Sequence, residues 1–278
     1  MTTLVNGEID KTATGRPQSR GQGDWAAVAG QESRDLWLSG RGPLLLFAFS
    51  VLLSVFTYLA ATNRAINFLE QREAVDQTLQ IAVAVGVLVT LLVSADAISG
   101  ERERGTLEGL LLTPVSRRAI VLGKLIAALT LWFATFVVSI PYIWVLGRGV
   151  SIVRSALLLG LGVGTLLAVG LAALGLLISA LSGSNKVSLA ISFFLLLAVF
   201  APSQLPGGLP KGWFGDVLGK INPVGSGLHY STAVLVNGHG WTRDLEYLIS
   251  PLVLAVLAGG GLLILSERIV RLNPGGER

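Results

Sequence analysis

An all-α polytopic membrane protein with six membrane-spanning helices is the fold class this sequence predicts, and three features predict it. Hydrophobic residues make up 52% of the 278-residue chain and charged residues 14%, too few polar groups to cover a water-soluble surface. The apolar residues come in long runs, and in hydrocarbon only a helix satisfies its own backbone over such a run. The basic residues are unevenly placed. With six spans drawn through the apolar runs, Arg64, Arg72, Arg148, Arg154, Lys211, Lys220 and Arg243 fall on one side, and the other 14 of the 21 Lys and Arg fall on the side of the two termini. By the positive-inside rule this places both termini, and the loop between the second and third spans, in the cytoplasm; the membrane expected is the cytoplasmic membrane.

Residues 1–23 are polar and read as a disordered cytoplasmic tail. Asp24 starts a helix to Leu38, within an interfacial segment 24–41, with Trp25, Ala29, Leu36 and Trp37 near one side. The six-helix domain is expected over 42–266. The first apolar run begins only at Pro43, so no cleavable signal peptide is expected.

Leu44 to Thr62 is the first span, and Ser50, Ser54, Thr57 and Tyr58 line one of its faces. They either border a conduit or hydrogen-bond a neighbouring helix, and helix packing is the preferred reading. Asn63 to Thr78 reads as a charged connection, and Leu79 to Ile98 as the second span with Asp96 at its end near water. The third span, Ala119 to Leu146, contains Pro141, a kink signal, with Tyr142 and Trp144 at the far interface. The fourth, Ala156 to Leu181, carries Gly160, Gly164, Ala168 and Ala172 every fourth residue, a seam for an internal helix or a second subunit.

Val187 to Ala201 is too short to cross alone. The segment 202–246 is broken by Pro202, Pro206 and Pro210 before the apolar stretch from Val224 to Val236, so short re-entrant helices are expected there. Pro251 to Leu265 is the sixth span, with Gly259, Gly260 and Gly261 suited to close packing or bending, and 267–278 is a cytoplasmic tail.

Between the second and third spans lies the one dense block of charge flanked by long apolar runs. Asp96, Glu101, Glu103 and Glu108 alternate there with Arg102, Arg104, Arg117, Arg118 and Lys124. From Thr106, an N-cap candidate, Leu107, Leu110 and Leu111 share one side of a short helix that stops at Thr113-Pro114. An amphipathic helix held between two spans is suited to docking in a groove of a soluble partner.

The run from Glu101 through Gly105, Thr106 and Pro114 to Lys124 closely resembles the first cytoplasmic loop of ABC-2-type transporter permeases, most closely the branch associated with copper-enzyme maturation. The resemblance implies an elbow helix at 24–41 and a coupling loop at 99–118 that engages a separate ABC ATPase subunit. It also implies a second permease subunit, as homo- or heterodimer, in the lipid bilayer, and leaves room for an extracytoplasmic accessory protein. ATP and Mg would be bound by that ATPase, with no cofactor in this chain. The function implied is that of the transmembrane subunit of an exporter. A membrane anchor that uses the same ATPase for mechanical or assembly work is the alternative.

On this reading the leucines contact the ATPase, Glu101, Glu103 and Glu108 pair with its basic groups, and Arg117, Arg118 and Lys124 fix the helix at the membrane surface.

Other chemistry is poorly supported. No G-x-x-x-x-G-K-[ST] phosphate loop occurs, there is no Cys, and no basic, aromatic-interleaved surface suggests nucleic acid. The span interiors, as drawn, lack the acid, His or Lys that ion coupling uses. His229 and His239 lack an evident third metal ligand, and Glu101 with Glu103 reads better as salt-bridging than as a catalytic acid pair. The chain is expected to be non-catalytic.

Overall fold

The computed structural model describes residues 24–62, 68–107, 109, 112, 115–204 and 212–269, and these are helical with no strand among them. Both expected tails lie outside the described residues, save for 267–269. Helix α1 is Asp24–Leu38, α2 Arg41–Thr62, α3 Phe68–Asp96, α4 Ser99–Arg104 and α5 Arg117–Leu146. Then come α6 Val153–Leu181, α7 Asn185–Phe200, α8 Trp213–Ile221, α9 Pro223–Leu235 and α10 Ile249–Ile269. Five segments are long and apolar enough to cross a membrane, in α2, α3 with α4, α5, α6 and α10. The fifth apolar run, α7, has 16 residues, about 24 Å at 1.5 Å per residue.

Helix α6 is the centre of the bundle and packs against α3, α5, α7, α9 and α10. Its small-residue stripe makes this possible. A Cβ on Gly164 would lie 2.6 Å from the ring of Trp132, and one on Gly160 would lie 2.7 Å from Leu79 and 2.9 Å from Phe136. Leu167, Ala168, Leu171 and Ala172 are buried on the same helix. The stripe is therefore a seam inside the chain. By contrast, nothing lies within 4 Å of the Cβ positions of Gly259, Gly260 and Gly261 on α10, so these glycines mediate no close packing with the described residues.

Helix α1 has the bounds its sequence suggests and lies across α5. Val28 and Ala29 are buried against Gly123, whose missing side chain admits them, and Trp37 Nε1 donates to Thr130 Oγ1 at 3.1 Å. On α2, Ser50 Oγ and Ser54 Oγ lie 3.1 and 2.8 Å from the Tyr142 hydroxyl of α5. These two serines thus join helices.

The second span differs from expectation. Residues 68–78, read as a connection, are the first turns of α3, and Asp76 is buried within the bundle. The charge is accommodated by one distant partner and one local one: Thr232 Oγ1, 156 positions away, and Gln80 Nε2, one turn along α3, donate to Asp76 Oδ2 at 2.7 and 2.9 Å. Asp96, expected near water, is 7% exposed, and Lys124 is 2% exposed. The bundle is therefore not free of ionisable side chains.

The expected short helices after α7 are α8 and α9. Asn222 organises them, its Oδ1 accepting from Val224 N and Gly225 N at 3.0 Å while its Nδ2 donates to Val199 O at 2.6 Å. Pro223 occupies the first turn, where its missing N–H costs nothing. At 13 residues α9 is too short to span, and it is buried against α6, α3, α7 and α10. Nearby, His239 Nδ1 lies 2.6 Å from Asp244 Oδ2, and the ring of His229 packs on Tyr247 with centroids 4.4 Å apart.

Candidate coupling site

The chain turns at Ala97-Ile98 after α3 and forms α4, which Gly105 ends in the left-handed conformation at φ +70°. Glycine adopts this backbone without penalty, so the two-turn helix has a sharp stop. Helix α4 is attached to the ends of the surrounding helices by named polar contacts. Ser179 Oγ of α6 accepts from the backbone N–H of Ile98 and Ser99 at 3.0 and 2.9 Å, satisfying two donors at the start of α4.

Arg102 reaches the opposite kind of terminus. Its guanidinium donates to Ser182 O at 2.5 Å and Ala180 O at 3.1 Å, carbonyls at the C-terminal end of α6, where positive charge is favoured. Glu103 Oε1 accepts from the backbone N–H of Asn185, the first residue of α7, at 2.7 Å. A carboxylate at a helix N-terminus is the complementary pairing.

Two charge clusters flank α4. Lys124 Nζ of α5 lies 2.6 Å from Glu32 Oε1 of α1 and 2.5 Å from Glu101 Oε1. Arg41 Nη2 lies 2.5 Å from Asp96 Oδ2, Arg104 Nη2 lies 3.9 Å from the same oxygen, and Asn185 Nδ2 donates to Asp96 Oδ1 at 2.6 Å. Asn185 Oδ1 in turn accepts from Ser99 Oγ at 3.0 Å. A cavity of about 710 Å³ opens between these groups, bordered by Glu32, Asp35, Arg41, Asp96, Glu101 and Lys124.

These positions refine the residue roles expected from sequence. Glu101 and Glu103 are engaged within the chain, and Lys124 is a buried centre of the charge network. Leu107 is 3% exposed and belongs to an apolar cluster with Ile98, Val121, Leu125 and Leu176, so its side chain fills the chain's own core. Leu112, not singled out by the periodicity, is 81% exposed. Leu107 and Gly109 are helical, while Glu108, Leu110, Leu111, Thr113 and Pro114 lie outside the described residues. Thr106 Oγ1 points back to Glu101 O at 3.4 Å, and Ser116 caps α5 by accepting from Ala119 N at 3.2 Å, with Arg117 and Arg118 in the first turn of α5.

Of the conduit candidates, Ser50 and Ser54 are committed to Tyr142, Thr57 Oγ1 is buried without a hydrogen-bond partner among the described residues, and Tyr58 is exposed at 69%. Sequence reasoning missed Ser179, Asn185 and Glu32. A lone Ser, Asn or Glu carries no signal until its partner, some 80 or 90 positions away, is known.

Comparison with curated proteins finds no match to this chain. The family model described as ABC-2 family transporter protein matches residues 27–249, from α1 to the start of α10 and across α4, without separating branches within the family. With most of its length covered, and with its apolar helices built around a braced charged segment, the chain is a multi-pass membrane protein that belongs to the ABC-2 transporter family.

Proposed function

We propose that this chain is the transmembrane subunit of an ATP-driven exporter, in which the segment 99–118 docks on a separate ABC ATPase in the cytoplasm. The observation that carries this reading is the bracing of α4. Contacts with Ser179, Ser182, Asn185, Lys124 and Asp96 tie the segment to α3, α5, α6 and α7, and Lys124 and Asp96 link it onward to Glu32 of α1 and Arg41 of α2. A push on it is therefore felt by most of the bundle.

Leu112 presents an apolar side chain to the outside of that braced base, suited to a hydrophobic groove on the ATPase. The ATPase binds ATP and Mg, and two permease subunits, identical or not, enclose the conduit. Closure of two ATPases would move the braced segments together, and the stiff bundle would respond by rigid-body rocking that alternates access. Both termini then face the cytoplasm, in accord with the bias of Lys and Arg.

The test is purification of the full chain in mild detergent, followed by reconstitution with whatever nucleotide hydrolase accompanies it. An ABC ATPase should co-purify, and its hydrolysis should drive movement of solute out of the compartment on its own side. Failure to recover any nucleotide hydrolase overturns the proposal. Recovery of an ATPase with no translocation of any tested solute favours the membrane-anchor reading.

A further inference from the structure

At the end of the bundle away from α4, a cleft of about 690 Å³ lies between α2, α3, α7 and α9. Its depth along α3 is fixed by the helix. Asp76 is 20 residues before Asp96, about 30 Å away at 1.5 Å per residue. The walls are apolar, from Phe56, Ile81, Val85, Leu88, Leu196 and Val236 among others, and one stretch is polar, made by Glu73, Asp76, Gln77, Gln80 and Thr232. Among the described residues that lining contains two carboxylates and no basic side chain.

Asp76 is the distinctive group. It is 3% exposed, and its Oδ2 takes both available donors, from Thr232 and Gln80. Gln80 Nε2 also lies 3.1 Å from Thr232 Oγ1, which holds the polar wall together. Asp76 Oδ1 has no hydrogen-bond partner and Asp76 enters no ion pair among the described residues. A buried carboxylate with one oxygen unsatisfied is costly inside a membrane protein, and a cation or donor reaching that oxygen would offset the cost. The volume lies within the range of small-molecule pockets, and predominantly apolar walls with a few convergent polar groups are what such pockets have.

We propose that this cleft is a binding site for an amphipathic organic cation, with a protonated amine donating to Asp76 Oδ1 and an apolar body lying against Phe56, Val85 and Leu196. Glu73 adds negative potential at the mouth, where it is exposed. A hydrated inorganic ion would leave the apolar walls uncovered, and a neutral lipid tail would leave Asp76 unsatisfied. The site deepens the transport reading by giving the class of cargo, yet binding to it requires neither nucleotide nor ATPase.

The experiment uses the full chain in nanodiscs, titrated with a dansyl-alkylamine and with its uncharged alcohol analogue, followed by dansyl fluorescence. A charge-assisted hydrogen bond predicts that the amine binds about tenfold or more tighter than the alcohol. Asp76→Asn should abolish that preference, and Ala84→Phe, which narrows the apolar part of the cleft about two turns along α3 from Asp76, should weaken both probes. Equal affinity of wild-type chain for amine and alcohol overturns the proposal, as does an unchanged preference in folded Asp76→Asn. Displacement of the amine by sodium but not by choline at equal ionic strength also overturns it, in favour of a small-cation site. Because the wild-type comparison needs no substitution, a variant that fails to fold leaves a decisive result. Failure of binding leaves ATP-driven transport of another cargo standing, and failure of ATP coupling leaves the binding result intact.

Discussion

Lys124 Nζ of α5 lies 2.5 Å from Glu101 Oε1 of α4, and the lysine side chain is 1% exposed. Two helices linked in sequence by residues 105–116 are thereby joined through a buried lysine, and Glu32 joins α1 to the same ammonium. Removing the lysine leaves Glu32 and Glu101, two partly buried carboxylates, side by side without their cation. Lys124→Met should therefore destabilise the chain by about 3 kcal/mol. The triple variant Lys124→Met, Glu32→Gln, Glu101→Gln should recover much of the loss, because no charge is stranded. Thermal unfolding in nanodiscs checks both, and a triple variant no more stable than the single one contradicts the assignment.

Ser179→Ala removes the acceptor of the Ile98 and Ser99 N–H groups, both buried. Leaving such donors unmet costs about 1 to 3 kcal/mol, concentrated at the α3 to α4 turn. The expected outcome is looser coupling: ATP hydrolysis by the assembled complex persists while solute moved per ATP falls. An unchanged ratio would show that the bracing of α4 transmits nothing.

Gly164→Leu should be far more disruptive than Gly260→Leu. The first would drive a side chain into Trp132, whereas nothing in the described chain lies near the second. Overpacking of this kind costs about 1 to 3 kcal/mol or more. The thermal midpoints of the two variants provide the comparison, and similar losses would mean that the α10 glycines also face a close neighbour.

Tyr142→Phe should loosen α2 without emptying any space, since only the hydroxyl shared by Ser50 and Ser54 is lost. Interhelical bonds in membranes are worth about 0.6 kcal/mol on average. Faster hydrogen exchange confined to α2 is the expected readout. Protection unchanged across α2 would show that the clip holds nothing.

How legible this structure is in its sequence depends on how local the cause is. Helix α1 matches its expected bounds because charge and apolar spacing are both written into fifteen consecutive residues. The bulk of α2, α5 and α6 follows equally from runs of apolar residues. The start of α3 does not, because Arg72, Glu73 and Asp76 look like a loop until Thr232, on a helix far along the chain, is found beside Asp76. In the coupling segment, periodicity shows which leucines share a side but not what that side meets. Leu107 meets Ile98, Val121 and Leu125 of its own chain, leaving exposed Leu112 outside the pattern.

The central claim is that the segment after α4 contacts an ATPase in the cytoplasm, and the chain's lack of cysteine permits a clean measurement. Leu112→Cys gives a single thiol at an exposed site, to be treated in cells with a short bifunctional thiol reagent and with a membrane-impermeant maleimide. The account predicts a cross-linked product containing an ABC ATPase and no maleimide labelling until the cytoplasmic side is opened. Labelling from the exterior of intact cells, or a thiol that cross-links to no nucleotide hydrolase, would contradict it.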